Sequence, residues 1–425
     1  MSSIHELNDP ASNTIGVRTS PEPSEVFRQI FALSMASNAL YTSNGIQDDL
    51  LQCIQTKLPG IVSAISGQWT VVWGPVIWKA APDDEETGPS NTWFIAHSPS
   101  VLFDDGKERE AYVIAIAGTN AKAGSGGWEQ NLGVDRVVDF PAWVTSGITQ
   151  PPVPVDRVSV VPDGTYVANG TATGVHILLS EHSPPGSASA GLTLYEYLTG
   201  IIASESTRVV FTGHSLGGAL SPTLALALAR SGALKGKALV YPTAGPSPGN
   251  GSFANLFAET FPTSPSTTPE TRYAVWNRNI INSLDIVPQA WCTNPTLSPA
   301  QNMDNIPPIY GVPVIEYVQQ ITSLLKFSAI SSDTVYIPLQ SCILPGIKPQ
   351  TVPETETEFM RVALDQHMAF YSGVFGVEAP ELDCKKLTKK TEEEMFLEFP
   401  VIGDIEWGKE HRAEVEAAVS ALQGE

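Results

Sequence analysis

Apolar residues recur at helical spacing through Glu25–Leu40 and again through Gln47–Leu58, which predicts two N-terminal helices. The period then changes. WTVVWGPVIWKA (69–80) and TWFIAHSP (92–99) read as two strands joined by an acidic, proline-containing loop, APDDEETGPSN. EAYVIAIAGT (110–119) is apolar almost without interruption, as in a strand buried on both faces. From Val134 to Gly174 no period holds, and proline, glycine and valine predict an irregular excursion over the surface. Leu192–Ile202 regains a helical period. Val209, Val210 and Phe211 favour a strand, and Ala219, Leu220, Leu224, Ala225, Leu228 and Ala229 recur as on a helix, so this stretch reads strand, tight turn, helix. KALVYPTAG (237–245) and TRYAVWNRN (271–279) predict two later strands. Val314–Phe327 predicts an amphipathic helix with Ile315, Val318, Ile321, Leu324 and Leu325 on one face, and AEVEAAVSALQ (413–423) a short polar one. Alternation of helices and strands implies an α/β fold around a central sheet, with residues 1–20 disordered and 21–425 forming one domain.

Composition narrows the classes. The chain has 425 residues, 42% of them hydrophobic, enough to bury one large core. Its 45 acidic side chains against 24 basic give a formal charge of −21, which disfavours nucleic acid and anionic membrane surfaces as partners and favours neutral substrates or interfaces. The N-terminal residues lack a basic start followed by an apolar core, and the most apolar window, Ile61–Trp78, is interrupted by Gly67, Gln68, Gly74 and Pro75. Neither a secretory signal nor a membrane span is therefore expected, and a cytoplasmic location is favoured. Cys53, Cys292, Cys342 and Cys384 are widely spaced without a C-x-x-C pair, which argues against zinc and, in an unexported chain, for four buried thiols rather than two bridges. No internal repeat is visible.

The candidate chemistry lies at the sharp break in VVFTGHSLGGAL (209–220). Gly213-His214-Ser215-Leu216-Gly217 fits G-x-S-x-G in the strand-turn-helix setting that such a turn requires. Glycines two before and two after Ser215 let a strained turn project the hydroxyl at a helix N-terminus, where unpaired N–H groups favour developing negative charge. Pro222 removes one donor inside the predicted helix, so a slight bend facing solvent or a small residue is expected there. A serine hydroxyl is a weak nucleophile; it needs a base, and the base an orienting acid. Asp285 precedes Val287-Pro288 in NRNIINSLDIVPQAW, with Asp304 as a rival in a weaker context. Of His176, His182, His214 and His367, only His367 follows Asp285 in the order Ser, Asp, His. His214 inside the turn is expected to point away from the nucleophile as a structural partner. Two N–H donors are also needed for a tetrahedral oxyanion; Leu216, directly after the serine, and Thr119, after the turn at Gly118, are the candidates.

TGHSLGGAL resembles the signature of the class 3 lipases, the fungal-lipase-like branch of the α/β-hydrolases. In family order, four further segments are similar. Trp128–Leu132 resembles W-x-x-N-L, YPTAGPSPGN (241–250) resembles the family's strand and loop ending in G-x-P-x-x-G-N, Asp285–Pro288 resembles D-x-V-P, and His367–Tyr371 resembles H-x-x-x-Y. The resemblance runs from about Tyr112 to Tyr371. It implies an α/β-hydrolase fold with a mostly parallel sheet, a lid over residues 120–135 bearing Trp128 and Leu132, and a Ser215–His367–Asp285 triad with Thr119 and Leu216 as oxyanion donors. The implied activity is hydrolysis of carboxylic esters, acylglycerols or other lipid esters, without metal or organic cofactor, on a small-molecule substrate or at a neutral lipid interface. Phospholipid, feruloyl esters and thioesters remain alternative substrates, and a silent lipase-like binding or signalling protein is an alternative role. Two departures stand out. Ala117 occupies the place where the family carries arginine before the oxyanion turn, and the 295–358 stretch is long for a connection from acid to base, serving either as a cap or as plain packing.

Overall fold

The computed structural model describes residues 25–201, 206–234, 237–263, 272–382 and 384. The expected disordered start and the polar helix at 413–423 lie outside the described residues.

Strands β1 (Thr70–Trp78), β2 (Asn91–Leu102) and β3 (Glu108–Ile116) form an antiparallel meander at one side of a seven-stranded sheet. A minor pair, β4 (Val137–Asp139) and β5 (Tyr166–Ala168), stands apart from it. The large sheet continues through β6 (Arg208–His214), β7 (Lys237–Thr243), β8 (Asn279–Asn282) and β9 (Ser341–Leu344), all parallel from β3 onward. Strand β6 is buried along its whole length, because helices cover both faces of the sheet. On one face pack α1 (Glu25–Ser37) and α2 (Gln47–Ala64), whose Phe27, Phe31, Leu50 and Leu58 join Val210 and Tyr241 in one core. On the other, Leu220, Leu224 and Leu228 of α7 (Leu216–Arg230) pack with Ile114, Ile116 and Phe211.

Several expectations need correction. The supposedly irregular 134–174 contains β4, β5, the short helix α4 (Phe140–Ser146), and the start of α5 (Asn169–Ser180), with α3 (Ser125–Leu132) just before it. Glycines had masked α5: Cβ atoms at Gly170 and Gly174 would lie 2.5 Å from the Glu129 carbonyl oxygen and 2.7 Å from Leu220, so these positions serve close packing. TRYAVWNRN is not a strand; its apolar Tyr273, Val275 and Trp276 plug the core from turns, and β8 begins only at Asn279. Pro222 lies buried inside α7, which rules out the solvent-facing alternative. The helix expected at Leu192–Ile202 appears as α6 (Leu194–Gly200), opened by a capping box between Thr193 and Glu196. Cys53 and Cys384 form a disulfide, while Cys292 and Cys342 are buried thiols. The bridge exists because the chain beyond the last helix returns to α2, a proximity that spacing along the sequence cannot reveal.

Beyond α8 (Gly251–Thr260), the 295–358 stretch carries α9 (Glu316–Ile330) and strand β9. Helix α10 (Glu356–Leu364) follows, then a π-helical turn over Asp365–Ala369, then α11 (Phe370–Phe375). Residues of α3, α9 and α10 share a third apolar core with Tyr336 and Met303.

Candidate active site

Parallel strands deliver their C-terminal ends to one edge of the sheet, and β6 ends there in the predicted turn. Ser215 adopts φ 59° and ψ −124°, a conformation sparsely populated by non-glycine residues. Its N–H donates to the Thr243 carbonyl at 3.1 Å. The flanking glycines are required by contact: a Cβ on Gly213 would meet the Gly217 carbonyl oxygen at 2.3 Å, and one on Gly217 the Ile116 carbonyl oxygen at 2.2 Å. Strain at the serine is thus held by backbone packed on both sides.

Asp285 follows β8 and is fully buried. Its Oδ1 accepts from the Val287 N–H at 3.0 Å, and Oδ2 from the Tyr371 hydroxyl at 2.9 Å. His367, on the π-helical turn, places Nδ1 2.9 Å and 3.0 Å from the two carboxylate oxygens. The carboxylate fixes the proton on Nδ1 and leaves Nε2 as the basic nitrogen. Burial and the neighbouring Asp285 charge hold the Tyr371 phenol well above its ordinary range, so it stays a neutral donor. Its oxygen also accepts from the Asn282 N–H at 2.8 Å, which ties the acid to β8. Tyr371 entered the sequence reading only as part of a pattern; its role as partner of Asp285 comes from the geometry.

Ser215 and His367 line one cavity without a hydrogen bond between them among the described residues. Such contacts often tighten only when substrate is bound. His214 is buried, its Nδ1 2.9 Å from the Thr243 hydroxyl and its ring centroid 4.7 Å from that of His367. Burial, then the neighbouring His367, push it well below the ordinary histidine value, so it is a neutral packing partner. Asp304 is on the surface, paired with Lys326 of α9, and makes no hydrogen bond to His367. Neither the Thr119 nor the Leu216 N–H has a backbone or side-chain acceptor among the described residues. Thr119 lines the cavity, and its hydroxyl accepts from Asn131 of α3; Leu216 stands at the N-terminus of α7, directly after the serine.

The rest of the cavity wall is mainly apolar. Half-buried Trp128 and buried Leu132 come from α3, Val318, Ile321 and Leu325 from α9, and Phe359 from α10. The 295–358 stretch therefore does more than pack against the outside: α9 forms part of the cavity wall. Among the described residues no cluster of three or more His, Cys, Asp or Glu is arranged to hold a metal ion, and no helix is long and apolar enough to cross a membrane.

A mostly parallel sheet flanked by helices, with a strained serine at the C-terminal end of a central strand, defines the α/β-hydrolase fold. The family model for class 3 lipases matches residues 152–294 of this chain. The matched segment contains Ser215 and Asp285; His367 and Thr119 lie outside it. No curated protein matches by sequence. Among solved structures, M37 lipase is similar with a TM-score of 0.60 and 21% identity, covering 90% of this chain and 99% of that one. Yarrowia lipolytica LIP2 lipase is more distant, at TM-score 0.37 and 16% identity over 63% of this chain and 75% of that one. A Rhizomucor miehei lipase propeptide complex gives 0.33 and 18% over 67% and 73%.

Proposed function

We propose that this protein is a carboxylic-ester hydrolase acting on acylglycerols or other neutral lipid esters, with Ser215 as nucleophile, His367 as base and Asp285 as its orienting acid. The observation that carries the reading is a buried Asp285–His367 pair and a serine held at φ 59° that line the same cavity. Nε2 of His367 takes the Ser215 proton as the hydroxyl oxygen attacks the ester carbonyl. The charge that develops on the carbonyl oxygen meets the N–H groups of Leu216 and Thr119. As the tetrahedral adduct collapses, the imidazolium returns the proton to the departing alkoxide, and an acyl group remains on Ser215. Water then enters by the same path, again deprotonated by His367, and releases the carboxylic acid.

The apolar wall supports an acyl chain as the group bound, and the formal charge of −21 disfavours anionic substrates. Trp128 and Leu132 on α3 serve as the lid contacts to that chain. The test is hydrolysis of p-nitrophenyl esters of graded chain length by the wild type and by Ser215→Ala, with both shown to be folded. Turnover by the wild type and a loss on the order of a millionfold in the variant is expected. Equal inertness of the two folded proteins on every ester would replace this reading by the binding or signalling one.

A further inference from the structure

The turn that carries Thr119 lacks the side-chain anchor at position 117. Ala117 offers only a methyl group, and its N–H is committed to the Thr92 carbonyl at 2.9 Å. Yet the turn is firmly held, and from an unexpected place. Asn38, just past the end of α1 and 80 residues away along the chain, accepts the Gly118 N–H on Oδ1 at 2.8 Å. Its Nδ2 donates to the Ser34 carbonyl at 2.9 Å. These two bonds fix the amide's orientation, because the flipped amide would oppose donor to donor and acceptor to acceptor. The side chain is buried on the cavity wall.

The chain after Asn38 clasps the other side of the same turn. Asn120 Nδ2 donates to the Leu40 and Ser43 carbonyls, and the Ala121 N–H donates to the Tyr41 carbonyl at 2.9 Å. Next to Gly118, whose N–H is bound, and Asn120, whose side chain is bound, the Thr119 N–H has no acceptor among the described residues. Tolerance in position is small: a Cβ on Gly118 would lie 2.9 Å from the His214 carbonyl oxygen and 3.0 Å from Ser215 Cβ. The turn thus rests against the nucleophile's own backbone, and its pinning sets the spacing between the Thr119 N–H and the Ser215 oxygen.

We propose that Asn38 is a positioning residue for the oxyanion site, taking from outside the turn the anchoring role that Ala117 cannot fill. It binds no substrate atom; it acts through Gly118 on the Thr119 N–H. The inference rests on the hydrolase reading above. Removing the acceptor frees the Gly118 N–H to rotate, and the Thr119 donor drifts from the position the oxyanion will occupy. Misplacement of about 1 Å can cost on the order of a hundredfold in rate.

The experiment compares wild type, Ser215→Ala, Asn38→Ala and Asn38→Ser on one p-nitrophenyl ester, with active sites counted by exhaustive fluorophosphonate labelling. Affinity for an alkyl boronic acid, whose tetrahedral serine adduct presents an oxygen to the same donors, is measured in parallel. Both Asn38 variants are expected to lose about 10–100-fold in kcat per labelled site with KM changed less than about twofold, and to bind the boronate more weakly by a similar factor. The serine variant keeps a polar group in the pocket and guards against failure to fold. If kcat per labelled site and boronate affinity stay at wild-type values, with only the labelled fraction or melting temperature reduced, Asn38 is merely structural and the proposal falls. A folded wild type inert on all esters overturns the hydrolase reading itself, and the positioning role with it.

Discussion

At Asp285, a buried carboxylate is tolerated only because every direction around it supplies a donor: the Val287 N–H, the Tyr371 hydroxyl and the His367 Nδ1. Tyr371 is the most informative of these, since one oxygen both donates to the carboxylate and accepts from the Asn282 N–H. Tyr371→Phe keeps the ring against Phe370 and His214 but leaves the N–H unpaired and the carboxylate one donor short. A destabilisation of about 1–3 kcal/mol is expected in urea unfolding. On the proposed mechanism kcat also falls, by about tenfold, because Asp285 gains freedom to swing from His367. An unchanged unfolding midpoint would show that the hydroxyl contributes nothing net.

Elements rather than residues shape the cavity that Ser215 lines. Helix α9 comes from the long stretch between acid and base, and ion pairs stand near its C-terminal end, Lys326 with Asp304 and, just past the helix, Asp333 with Arg157 at 3.2 Å. Exposed pairs of this kind each contribute less than about 1 kcal/mol, so the helix is retained chiefly by the apolar contacts of Val318, Leu324 and Ala329 in the third core. Ile321 and Leu325 are only partly buried there and face the cavity instead. Ile321→Trp adds volume to the wall, and the expected outcome is a shift of chain-length preference, with dodecanoyl esters losing about tenfold or more in kcat/KM and acetyl esters nearly unaffected. A uniform loss across all chain lengths would instead indicate that α9 lies outside the acyl path.

For the whole molecule, the Cys53–Cys384 bridge closes the chain across a separation of 331 residues. The returning segment is also bound at the clasp, where the Leu382 N–H donates to the Ala39 carbonyl at 2.8 Å and the Ser43 hydroxyl to the Leu382 carbonyl at 3.1 Å. Cross-linking so long a loop stabilises chiefly by restricting the unfolded chain. Cys53→Ser, or a thiol reductant acting on the wild type, is expected to lower unfolding free energy by about 2–5 kcal/mol, read from denaturant titration. The two treatments should not add. Because Ala39 and Ser43 belong to the segment that clasps the turn at Gly118–Ala121, the first amides to lose hydrogen-exchange protection should include those of residues 118–121.

The sequence by itself determined the elements whose pattern is strictly local. The uninterrupted apolar run of β3, the strand-turn-helix at Ser215 and the period of α9 depend on neighbours a few residues away, and the local order of residues carries them. It also supplied the residue types and chain order of the candidate site, Ser215, Asp285 and His367. Contacts between distant segments were beyond it. Asn38 is one of many asparagines until α1 packs under β3, Tyr371 is an aromatic in a helix until β8 lies beside it, and Cys53 has no visible mate until the chain returns. Helix α5 escaped because its glycines, poor helix formers, are there to let other backbone approach. What only the tertiary structure decided is which polar groups meet at long range, since a hydrogen bond is fixed by distance and direction in space, and one chain separation is compatible with many of either.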